Sequence, residues 1–431
     1  MNSRIPRFYE LHPDDRLAAL VERGLISSQQ ATHLREDSLD LQAANLMIEN
    51  VVGTFSLPNA VAVNFLIDDQ DRIVPMVVEE PSVLAAVSNM ARVARSGGGF
   101  YTEIDDGVMI GQVQIPNVQD PETCTRQLQE ALPHLMEVTR GVHPRLEERG
   151  GGLRGFEVRQ VRYEEPGQAH EDIVVLHFHL DCVDAMGANM VNTIAEHLAP
   201  HVESITGQRV GLRILSNLAD QRLARARVRL DVSQLAPDPE TGGEVARRIA
   251  EAWRFAWADP YRAATHNKGV MNGIDAVALA TGNDWRAVEA GAHAFAARSG
   301  QYRPLTRWSL DGDHLIGQIE VPLQLGTVGG PIRIHPTVRA NLELMGVQTA
   351  RELSSVTAAV GLAQNLGALR ALATEGIQEG HMRMHARVVA ANAGATSDEI
   401  AHVVSQLVNA REFSMERAKQ TLEELRSEGA P

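Results

Sequence analysis

Four short polar segments of the chain carry groups that can move protons or stabilise negative charge. They are Glu79-Glu80-Pro81-Ser82, Thr265-His266-Asn267-Lys268-Gly269, Thr281-Gly282-Asn283-Asp284 and Gly380-His381-Met382. A lysine ammonium stabilises charge that develops on an oxygen, a carboxyl group can protonate that oxygen, and an imidazole carries a proton near neutral pH. Taken singly, each segment is readily explained as a solvated surface group, a helix-dipole partner or a helix cap. A function therefore requires that several of them act together.

A fifth segment, Asp184-Ala185-Met186-Gly187-Ala188-Asn189, follows an apolar strand and opens a predicted helix. Free N–H groups at such a helix start can hold a phosphate, and small residues let the ligand approach. An ordinary strand-to-helix turn is the alternative. The run Gly150-Gly151-Gly152-Leu153-Arg154-Gly155 fits the G-x-G-x-x-G dinucleotide pattern, but it precedes a predicted strand instead of opening a helix. We therefore reject a Rossmann site at that run.

His177, His179 and Asp181 alternate along one predicted strand, so their side chains project from the same face. Imidazole and carboxylate groups in this arrangement can bind a divalent metal, which makes a metal-dependent hydrolase the alternative function. The polar face of a half-exposed sheet is the simpler explanation, and the chain supplies no obvious further ligands. We therefore predict no metal site.

The composition limits the classes of protein to which the chain can belong. Its 431 residues are 44% hydrophobic and 22% charged, which is ordinary for a globular protein of two or three domains. The formal charge of -15 argues against general nucleic-acid binding, which needs a basic surface. Two cysteines favour a reducing cytoplasm over a disulfide framework. We find no signal-peptide pattern and no apolar run of about 18 residues, so we expect a soluble, cytoplasmic protein without membrane partners.

Hydrophobic periodicity predicts the elements that must position these residues. A strand pair with a turn at residues 68–71 comes first, followed by a helix that Ser82 caps. The next elements have the order β-α-β-β-α-β of a ferredoxin-like unit. They are predicted at 107–116, 123–139, 156–163, 173–183, 189–205 and 210–215. After Asn217 the Ala-rich sequence predicts mostly helix, with one long helix that starts after Asp284.

We therefore predict an α+β protein in which a mainly helical large domain carries an inserted ferredoxin-like small domain. The expected ranges are 1–106 and 218–376 for the two parts of the large domain and 107–217 for the small domain. Residues 377–431 are expected to form a helical C-terminal unit.

Three runs of the sequence occur in the order found in hydroxymethylglutaryl-CoA reductases. Glu49-Asn50-Val51-Val52-Gly53 resembles the first signature of that family. Asp184 to Asn189 is similar to the second, cofactor-binding signature, and Gly326-Thr327-Val328-Gly329-Gly330 resembles the third. The resemblance extends over nearly the whole chain, and the lack of a predicted membrane anchor points to the soluble bacterial class of the family.

The four remaining motifs match the catalytic residues of the family, which interconverts hydroxymethylglutaryl-CoA and mevalonate plus CoA by two hydride transfers with NAD(H) or NADP(H). The resemblance implies that Lys268 stabilises the developing oxyanion and that Glu80 protonates the carbonyl oxygen. Asp284 would hydrogen-bond to this pair and orient it. His381 would protonate the departing CoA thiolate from a C-terminal flap.

The same resemblance assigns the binding residues and a homodimer, or a larger assembly of dimers, with active sites at the interface. Those expected to contact the substrate are Ser82, Asn217, Arg262, Thr265, Asn272 and Asn365. Those expected near the nucleotide are Asp184, Ala185, Met186, Gly187, Ala188, Asn189, His143, Gly326, Val328 and Gly329. Arg262 is suited to clamp the free carboxylate of the substrate, because a guanidinium can bind a carboxylate through two hydrogen bonds.

Three positions depart from the family pattern. Pro331 follows the third signature where many members have glycine, which restricts the turn. Tyr9 stands where bacterial relatives have an arginine near CoA. His143 occupies the position of an aspartate that binds the ribose in NADH-using relatives, and basic residues there accommodate a 2′-phosphate.

Overall fold

The computed structural model of the chain describes residues 2–36, 39–374 and 377–428; for residues 36, 377–384, 397 and 428 it describes the backbone alone. The strands are β1 (Asn59–Ile67), β2 (Gln70–Val77), β3 (Phe100–Ile104), β4 (Val108–Ile115), β5 (Gly152–Tyr163), β6 (Glu171–Asp181), β7 (Arg213–Ser216), β8 (Leu223–Asp231), β9 (Thr306–Asp311) and β10 (His314–Pro322).

The helices alternate with these strands and fill most of the second half of the chain. They are α1 (Pro13–Glu22), α2 (Ser28–Glu36), α3 (Leu41–Met47), α4 (Val83–Arg95), α5 (Pro121–Thr139), α6 (Pro144–Glu147), α7 (Ala188–Thr206), α8 (Pro239–Ala258), α9 (Pro260–Ala280), α10 (Trp285–Ala296), α11 (Gly330–Ile334), α12 (Pro336–Met345), α13 (Ala350–Ala373), α14 (Ile377–Asn392), α15 (Ser397–Ala410) and α16 (Met415–Glu428). The predicted α+β class is therefore confirmed.

Four strands form an antiparallel sheet in the order β5-β6-β4-β7. Helices α5 and α7 pack on it, and the core between them includes Leu128, Leu176, Phe178 and Leu198. The chain reaches these elements in the predicted order β-α-β-β-α-β. The glycine-rich run at 150–155 leads into β5 and not into a helix, as expected when the Rossmann site was rejected.

The other six strands form a second sheet in the order β2-β1-β3-β8-β10-β9. Its β1–β2 hairpin reverses at Asp68 and Asp69, whose positive φ angles of 48° and 62° suit a two-residue hairpin turn. Helices α4, α8, α9, α10 and α13 share one large core with this sheet. The buried helix α13 packs against both α4 and α9, and so holds the two elements that flank the candidate site.

The prediction of mostly helix after Asn217 is wrong for β8, β9 and β10. In β8, Arg225, Arg227 and Arg229 alternate with buried small or aliphatic residues such as Ala226 and Val228. This is the period of a strand with one solvated face. The alternation was overlooked because alanine and arginine are residues that favour helix over strand.

The C-terminal helices α14, α15 and α16 have a small apolar core of their own, which includes Ala386, Val403, Leu407 and Leu422. The N-terminal helices pack a further cluster against β1 and β2 through Leu20, Leu25 and Ile73. Among the helices of the described residues, none combines the length and the hydropathy that crossing a bilayer requires.

Candidate functional site

Helix α9 is held in a fixed rotation by two consecutive buried polar residues, His266 and Asn267. The Asn267 side chain donates to the Arg303 carbonyl (2.9 Å) and accepts from the Leu305 N–H (2.9 Å). The His266 Nε2 lies 2.6 Å from the Thr306 hydroxyl. Because both residues point into the protein, the positions that flank them must face outward.

The hydrogen bonds around Thr306 define the state of the His266 ring. The Thr306 hydroxyl donates to the Asn365 Oδ1 (2.9 Å), so it accepts from the Nε2–H of His266. Burial, reinforced by the charge of Arg262, lowers the pKa of His266 to about 3, and the ring is therefore neutral at physiological pH.

Asn365 lies in the same network and not on the surface. Its Oδ1 also accepts from the Trp308 Nε1 (2.7 Å), its Nδ2 donates to the His266 carbonyl, and the residue is 1% exposed. Asn365 therefore has almost no exposed surface through which it could make the expected contact with a substrate. In this arrangement Asn365 acts on the site through α9 and β9.

The outward face of α9 carries the predicted polar residues as a stripe. Arg262, Thr265, Lys268 and Asn272 follow each other at intervals of three or four residues, so they lie on one side of the helix. None of the four belongs to the buried residues of α9. The stripe runs along the helix axis and leads directly from the candidate carboxylate clamp, Arg262, to Lys268.

Lys268 and Glu80 meet although 188 residues separate them in the chain. The Lys268 Nζ donates to the Glu80 Oε2 at 2.7 Å. Glu80 lies in the turn between β2 and α4, and its side chain is 30% exposed, against 57% for that of Lys268. An ion pair this open is screened by water, and a bound substrate that excludes water strengthens its field.

Ser82 ends the turn that carries Glu80, but its predicted capping role is wrong. It occupies the N-cap position of α4 with a φ of 73°, and its side chain makes no capping hydrogen bond. A non-glycine residue in this conformation is strained by about 1–3 kcal/mol. The hydroxyl group is thus left uncommitted to the helix, as a substrate contact requires.

Arg262 is half-buried at the start of the stripe, and burial lowers its pKa. In the described part of the chain it has no carboxylate partner within ion-pair distance. A guanidinium that has lost part of its hydration without gaining a counter-ion is suited to bind an anionic group of a ligand.

Asp284 does not reach the Glu80–Lys268 pair within this chain. Twelve residues separate Lys268 from Ala280 at the end of α9, a rise of about 18 Å along the axis, and Asp284 lies beyond that end. The Asp284 carboxylate accepts from the Arg286 and Ala287 N–H groups, which makes it the N-cap of α10. Its predicted contact with the pair is therefore not made within one subunit.

The turn from Val183 to Gly187 connects β6 to α7 with strained geometry. Val183 has a φ of 52°, which is unfavourable for a β-branched residue, and Gly187 has a φ of 105°. A Cβ on Gly187 would lie 2.4 Å from the Cys182 Sγ. Gly187 is the N-cap of the 19-residue helix α7 and provides no side-chain cap, so the first N–H groups of α7 remain available to an anion.

The runs 184–189 and 326–330 are in contact, as their joint assignment to the nucleotide predicts. Ala185 and Val328 form a parallel β-bridge, and the Thr327 N–H donates to the Asp184 carbonyl at 2.9 Å. A Cβ on Gly326 would lie 2.7 Å from the Met186 nitrogen. Only glycine permits this approach without a backbone shift.

Two buried side chains fasten this contact. The Arg222 guanidinium donates to the carbonyls of Ala185 (3.1 Å), Met186 (3.3 Å) and Leu325 (2.5 Å). The Asn283 side chain accepts from the Gly326 N–H (2.7 Å) and donates to the Gly326 carbonyl (3.1 Å). Asn283 precedes Asp284, so the turn 184–189 and the start of α10 form one connected structure.

His143 lies next to the start of α7, because its Nε2 is 3.0 Å from the Met190 carbonyl. The Asp184 carboxylate accepts a hydrogen bond from the Ala350 N–H at the start of α13 (2.9 Å). Pro331 is accommodated in the first turn of α11, where a fixed φ fits and the missing N–H is not needed.

Comparisons with known proteins identify the family to which a chain with this arrangement belongs. The sequence profile described as hydroxymethylglutaryl-coenzyme A reductase matches residues 12–386. The 3-hydroxy-3-methylglutaryl-coenzyme A reductase of Archaeoglobus fulgidus is 46% identical, over 99% of this chain and 96% of that protein. The chain belongs to the hydroxymethylglutaryl-CoA reductase family.

Solved structures of that family agree with the fold. A reductase of Streptococcus pneumoniae is 40% identical with a TM-score of 0.83, over 97% of this chain and 99% of the other. A class II structure from the same organism, described as bound to NADPH in open conformations, is 41% identical with a TM-score of 0.81, over 96% and 100% of the two chains.

The alternative of a metal-dependent hydrolase is not supported. The Asp181 carboxylate is paired with Arg154 (2.6 Å), and the His177 Nε2 lies 2.7 Å from the Gln112 amide. Within the described residues, no group of three His, Cys, Asp or Glu side chains could hold a metal ion. His177 and Asp181 are each 6% exposed, so this polar face of the small sheet is buried there and is not the half-exposed face that the sequence suggested.

The remaining predicted residues belong to other segments of the chain. The first signature, residues 49–53, is in an exposed segment without regular structure. Asn217 is exposed, and its carbonyl accepts from Gln324 beside α10. Tyr9 is 75% exposed. His381 belongs to α14, but its side chain lies outside the described residues.

One signal of the site was present in the sequence and was not used. The chain has 40 Lys and Arg residues, and only two of them are lysines, Lys268 and Lys419. A lysine in a chain that otherwise uses arginine indicates a need for a compact ammonium group. Nothing in the sequence marked Arg222 or Asn283 in this way. Both form hydrogen bonds with backbone groups of distant segments, and only the fold brings those groups close to them.

Gly326→Ala tests the contact between the second and third signatures. The new Cβ would push against the Met186 backbone nitrogen, so we expect the turn to shift and the KM for the nicotinamide cofactor to rise about tenfold or more. Steady-state kinetics with the cofactor as the varied substrate measures this. Gly243→Ala is the matched control, because its Cβ would enter open space within α8, and its KM should not change. An unchanged KM in Gly326→Ala would contradict the role of this contact.

Proposed function

We propose that the chain interconverts 3-hydroxy-3-methylglutaryl-CoA and mevalonate plus CoA, with Glu80 and Lys268 at the reacting carbonyl. The observation that carries the proposal is the 2.7 Å contact between these two side chains on the outward stripe of α9. When bound, a nicotinamide cofactor supplies or accepts the hydride. Family membership supports the reaction, and the roles of the individual residues are part of the proposal.

Lys268 and Glu80 have complementary tasks in this mechanism. Each reduction builds negative charge on the carbonyl oxygen, and the Lys268 ammonium stabilises it. Glu80 lies within hydrogen-bond distance of Lys268, so one oxygen atom can contact both groups. Glu80 takes a proton from the Lys268 ammonium that it contacts and passes it to the alkoxide, which becomes an alcohol, and Lys268 then regains a proton from solvent. His381 supplies a proton to the CoA thiolate.

Arg262 and its neighbours orient the substrate. The guanidinium of Arg262 binds the free carboxylate of the hydroxymethylglutaryl group, because it is half-buried and lacks a counter-ion in the described part of the chain. Arg262 precedes Lys268 by six residues of α9, a rise of about 9 Å. Thr265 lies between them on the stripe, and Asn272 and Ser82 flank the reacting end.

The nucleotide binds across the start of α7 and the run 326–330. Residues 184–189 fit a pyrophosphate, since Gly187 leaves the first N–H groups of α7 uncapped and keeps side-chain atoms away from the turn. The NADPH in the streptococcal relative supports NADP(H) as one cofactor. Residues 107–217 would form the nucleotide-binding domain, residues 1–106 and 218–376 the large domain that holds CoA, and residues 377–431 the flap.

A homodimer completes the site by bringing Asp284 of one subunit to the Glu80–Lys268 pair of the other. The separation of about 18 Å along α9 excludes this contact within one chain. The segment around the first signature also exposes large apolar side chains, with Val52 100% and Phe55 90% exposed beside Leu46 and Ile48. An apolar surface of this kind favours association with another copy of the chain.

The two cysteines, Cys124 and Cys182, are free and buried, which supports a reducing compartment such as the cytoplasm.

The reaction is tested by absorbance of the reduced nicotinamide in a mixture of protein, mevalonate and CoA with NAD⁺ or NADP⁺. We expect CoA-dependent reduction of the cofactor, and a loss of about a thousandfold or more in Lys268→Ala, because the oxyanion loses its cation. Lys419→Ala, at the other lysine of the chain, is the control and should retain the rate. Absence of turnover in both directions would refute the proposal, and near-normal rates in Lys268→Ala would refute the role of that residue.

The shared site is tested by mixing inactive Lys268→Ala and Asp284→Ala proteins under conditions that exchange subunits. If each site uses Lys268 of one chain and Asp284 of the other, every hybrid dimer contains one intact site. Random exchange should then restore about a quarter of the wild-type rate. The control is each variant put through the same exchange alone. If hybrids form but no activity returns, the two residues act within one subunit.

His143→Asp tests the assignment of the nucleotide's 2′ position. A carboxylate there would accept hydrogen bonds from the ribose hydroxyls and would repel a 2′-phosphate. We therefore expect the ratio of kcat/KM for NADP(H) to that for NAD(H) to fall about tenfold or more. His314→Asp, at the partly buried first residue of β10, provides the control for the added charge. An unchanged ratio would mean that His143 does not face the 2′ position.

A further inference from the structure

A chain of five polar side chains links α9, α10 and the segment that follows α10. The Asp275 carboxyl of α9 is hydrogen-bonded to the Glu289 carboxyl of α10. The Glu289 Oε2 is in turn paired with the His293 Nε2. The His293 Nδ1 lies 2.7 Å from the Tyr302 hydroxyl, and Tyr302 is hydrogen-bonded to the Asn267 side chain. The chain therefore begins and ends on α9.

The first link needs a proton. Two ionised carboxylates have only acceptor atoms, so Asp275 and Glu289 can form a hydrogen bond only when one of them is protonated. Burial and then Glu289 raise the pKa of Asp275 to about 9, while the hydrogen bond from His293 lowers the pKa of Glu289. Asp275 therefore holds the proton at neutral pH and donates it to the Glu289 carboxylate.

The groups around the Asp275–Glu289 pair determine what happens when this proton is lost. Glu289, His293 and Tyr302 are the titratable groups of the described residues that act on the pair, and no N–H or hydroxyl group of those residues donates to the buried Asp275 Oδ1. When Asp275 ionises, its new charge faces the Glu289 carboxylate with no cation of its own. Two like charges at hydrogen-bond distance repel strongly in a half-buried setting.

The Asp275–Glu289 pair connects α9, which carries Lys268, to α10, which Asp284 caps. Asp275 continues the outward stripe of α9 beyond Lys268 and Asn272, about 10 Å along the axis from Lys268. Glu289 follows Asp284 by five residues on α10. A link between Asp275 and Glu289 therefore fixes the start of α10, and with it Asp284, on the α9 of the same subunit, from where the proposed dimer brings Asp284 to the Glu80–Lys268 pair of the other subunit.

We propose that Asp275 and Glu289 are positioning residues, which share one proton to hold Asp284 in the place that catalysis requires. This inference rests on the proposed function only in assigning Asp284 to the active site. Neither residue touches the substrate. Loss of the shared proton at high pH shifts the start of α10 relative to α9 and lowers kcat, with little effect on the KM of the substrate that Arg262 binds.

Asp275→Asn separates this role from a merely structural one. The amide always donates to Glu289 and cannot ionise, so kcat at pH 7.5 should stay within about twofold of wild type. The wild-type kcat should fall as the pH rises past about 9, and in the variant this fall should move to higher pH. Asp275→Ala cannot make the bond and should lose about tenfold or more in kcat at every pH. Glu244→Gln, an exposed ion-paired carboxylate on α8, is the control and should keep the wild-type profile.

The inference is overturned if Asp275→Asn keeps the wild-type fall of kcat, or if Asp275→Ala is as active as Asp275→Asn. Should Asp275→Asn fail to fold, Glu289→Gln gives the same test, because its amide can donate to an ionised Asp275 and removes the need for the proton.

A measurement of stability distinguishes failure of this inference from failure of the proposed function. The folded-state pKa of Asp275 is raised, so wild-type stability falls as the pH rises from the ordinary carboxyl range to about 9 and then levels. Asp275→Asn lacks this term, and its Tm should exceed that of wild type by a margin that grows over the same pH range. Parallel Tm curves would refute the shared proton whether or not the chain turns over substrate.

Discussion

The hydrogen bonds of His266 and Asn267 with β9 and the segment before it fix the rotation of α9, and the geometry of the Glu80–Lys268 pair depends on that rotation. Each such bond contributes about 1 kcal/mol net, but a buried donor or acceptor without a partner costs about 1–3 kcal/mol. A rotated α9 would leave the polar groups of Thr306, Leu305 and Arg303 unpaired at once. Burial of polar groups therefore selects one orientation, and Lys268 faces outward as a consequence.

A second constraint operates where the small sheet meets the rest of the chain. Arg222 lies fully inside the protein, and burial lowers its pKa, yet its donors are used by backbone carbonyls on both sides of the contact between residues 184–189 and 326. These bonds offset the desolvation of the guanidinium. They also hold Val183 in its unfavourable conformation, since the turn cannot relax while its carbonyls are bound. The strained conformation of Val183 is thus maintained by the buried guanidinium of Arg222.

Local patterns were sufficient to predict the α+β class, the order of the small-sheet elements and the segments that contain the site. The predicted helix after Asp284 and the turn at residues 68–71 were also correct, because they depend on side chains only a few residues apart. Strand β8 was missed because its Ala- and Arg-rich sequence becomes a strand through pairing with distant neighbours. Strands β9 and β10 were missed although their own sequences contain Thr, Trp, Ile and Val, which favour a strand. Neither the burial of Asn365 nor the contact between Asp275 and Glu289 could be predicted, because both depend on how helices distant in the sequence pack against each other.

The immediate succession of inward and outward residues on α9 has a consequence for how this part of the sequence can change over time. His266 and Asn267 face the interior and Lys268 faces the site, with no spacer between them. Each residue advances a helix by about 100°, so deleting or inserting one residue before Lys268 would turn the ammonium toward the apolar core and an anchor toward water. Substitutions can accumulate around this segment, but its length is fixed. The residues around Lys268 can therefore change by single substitutions, but not by an insertion or a deletion in this part of α9.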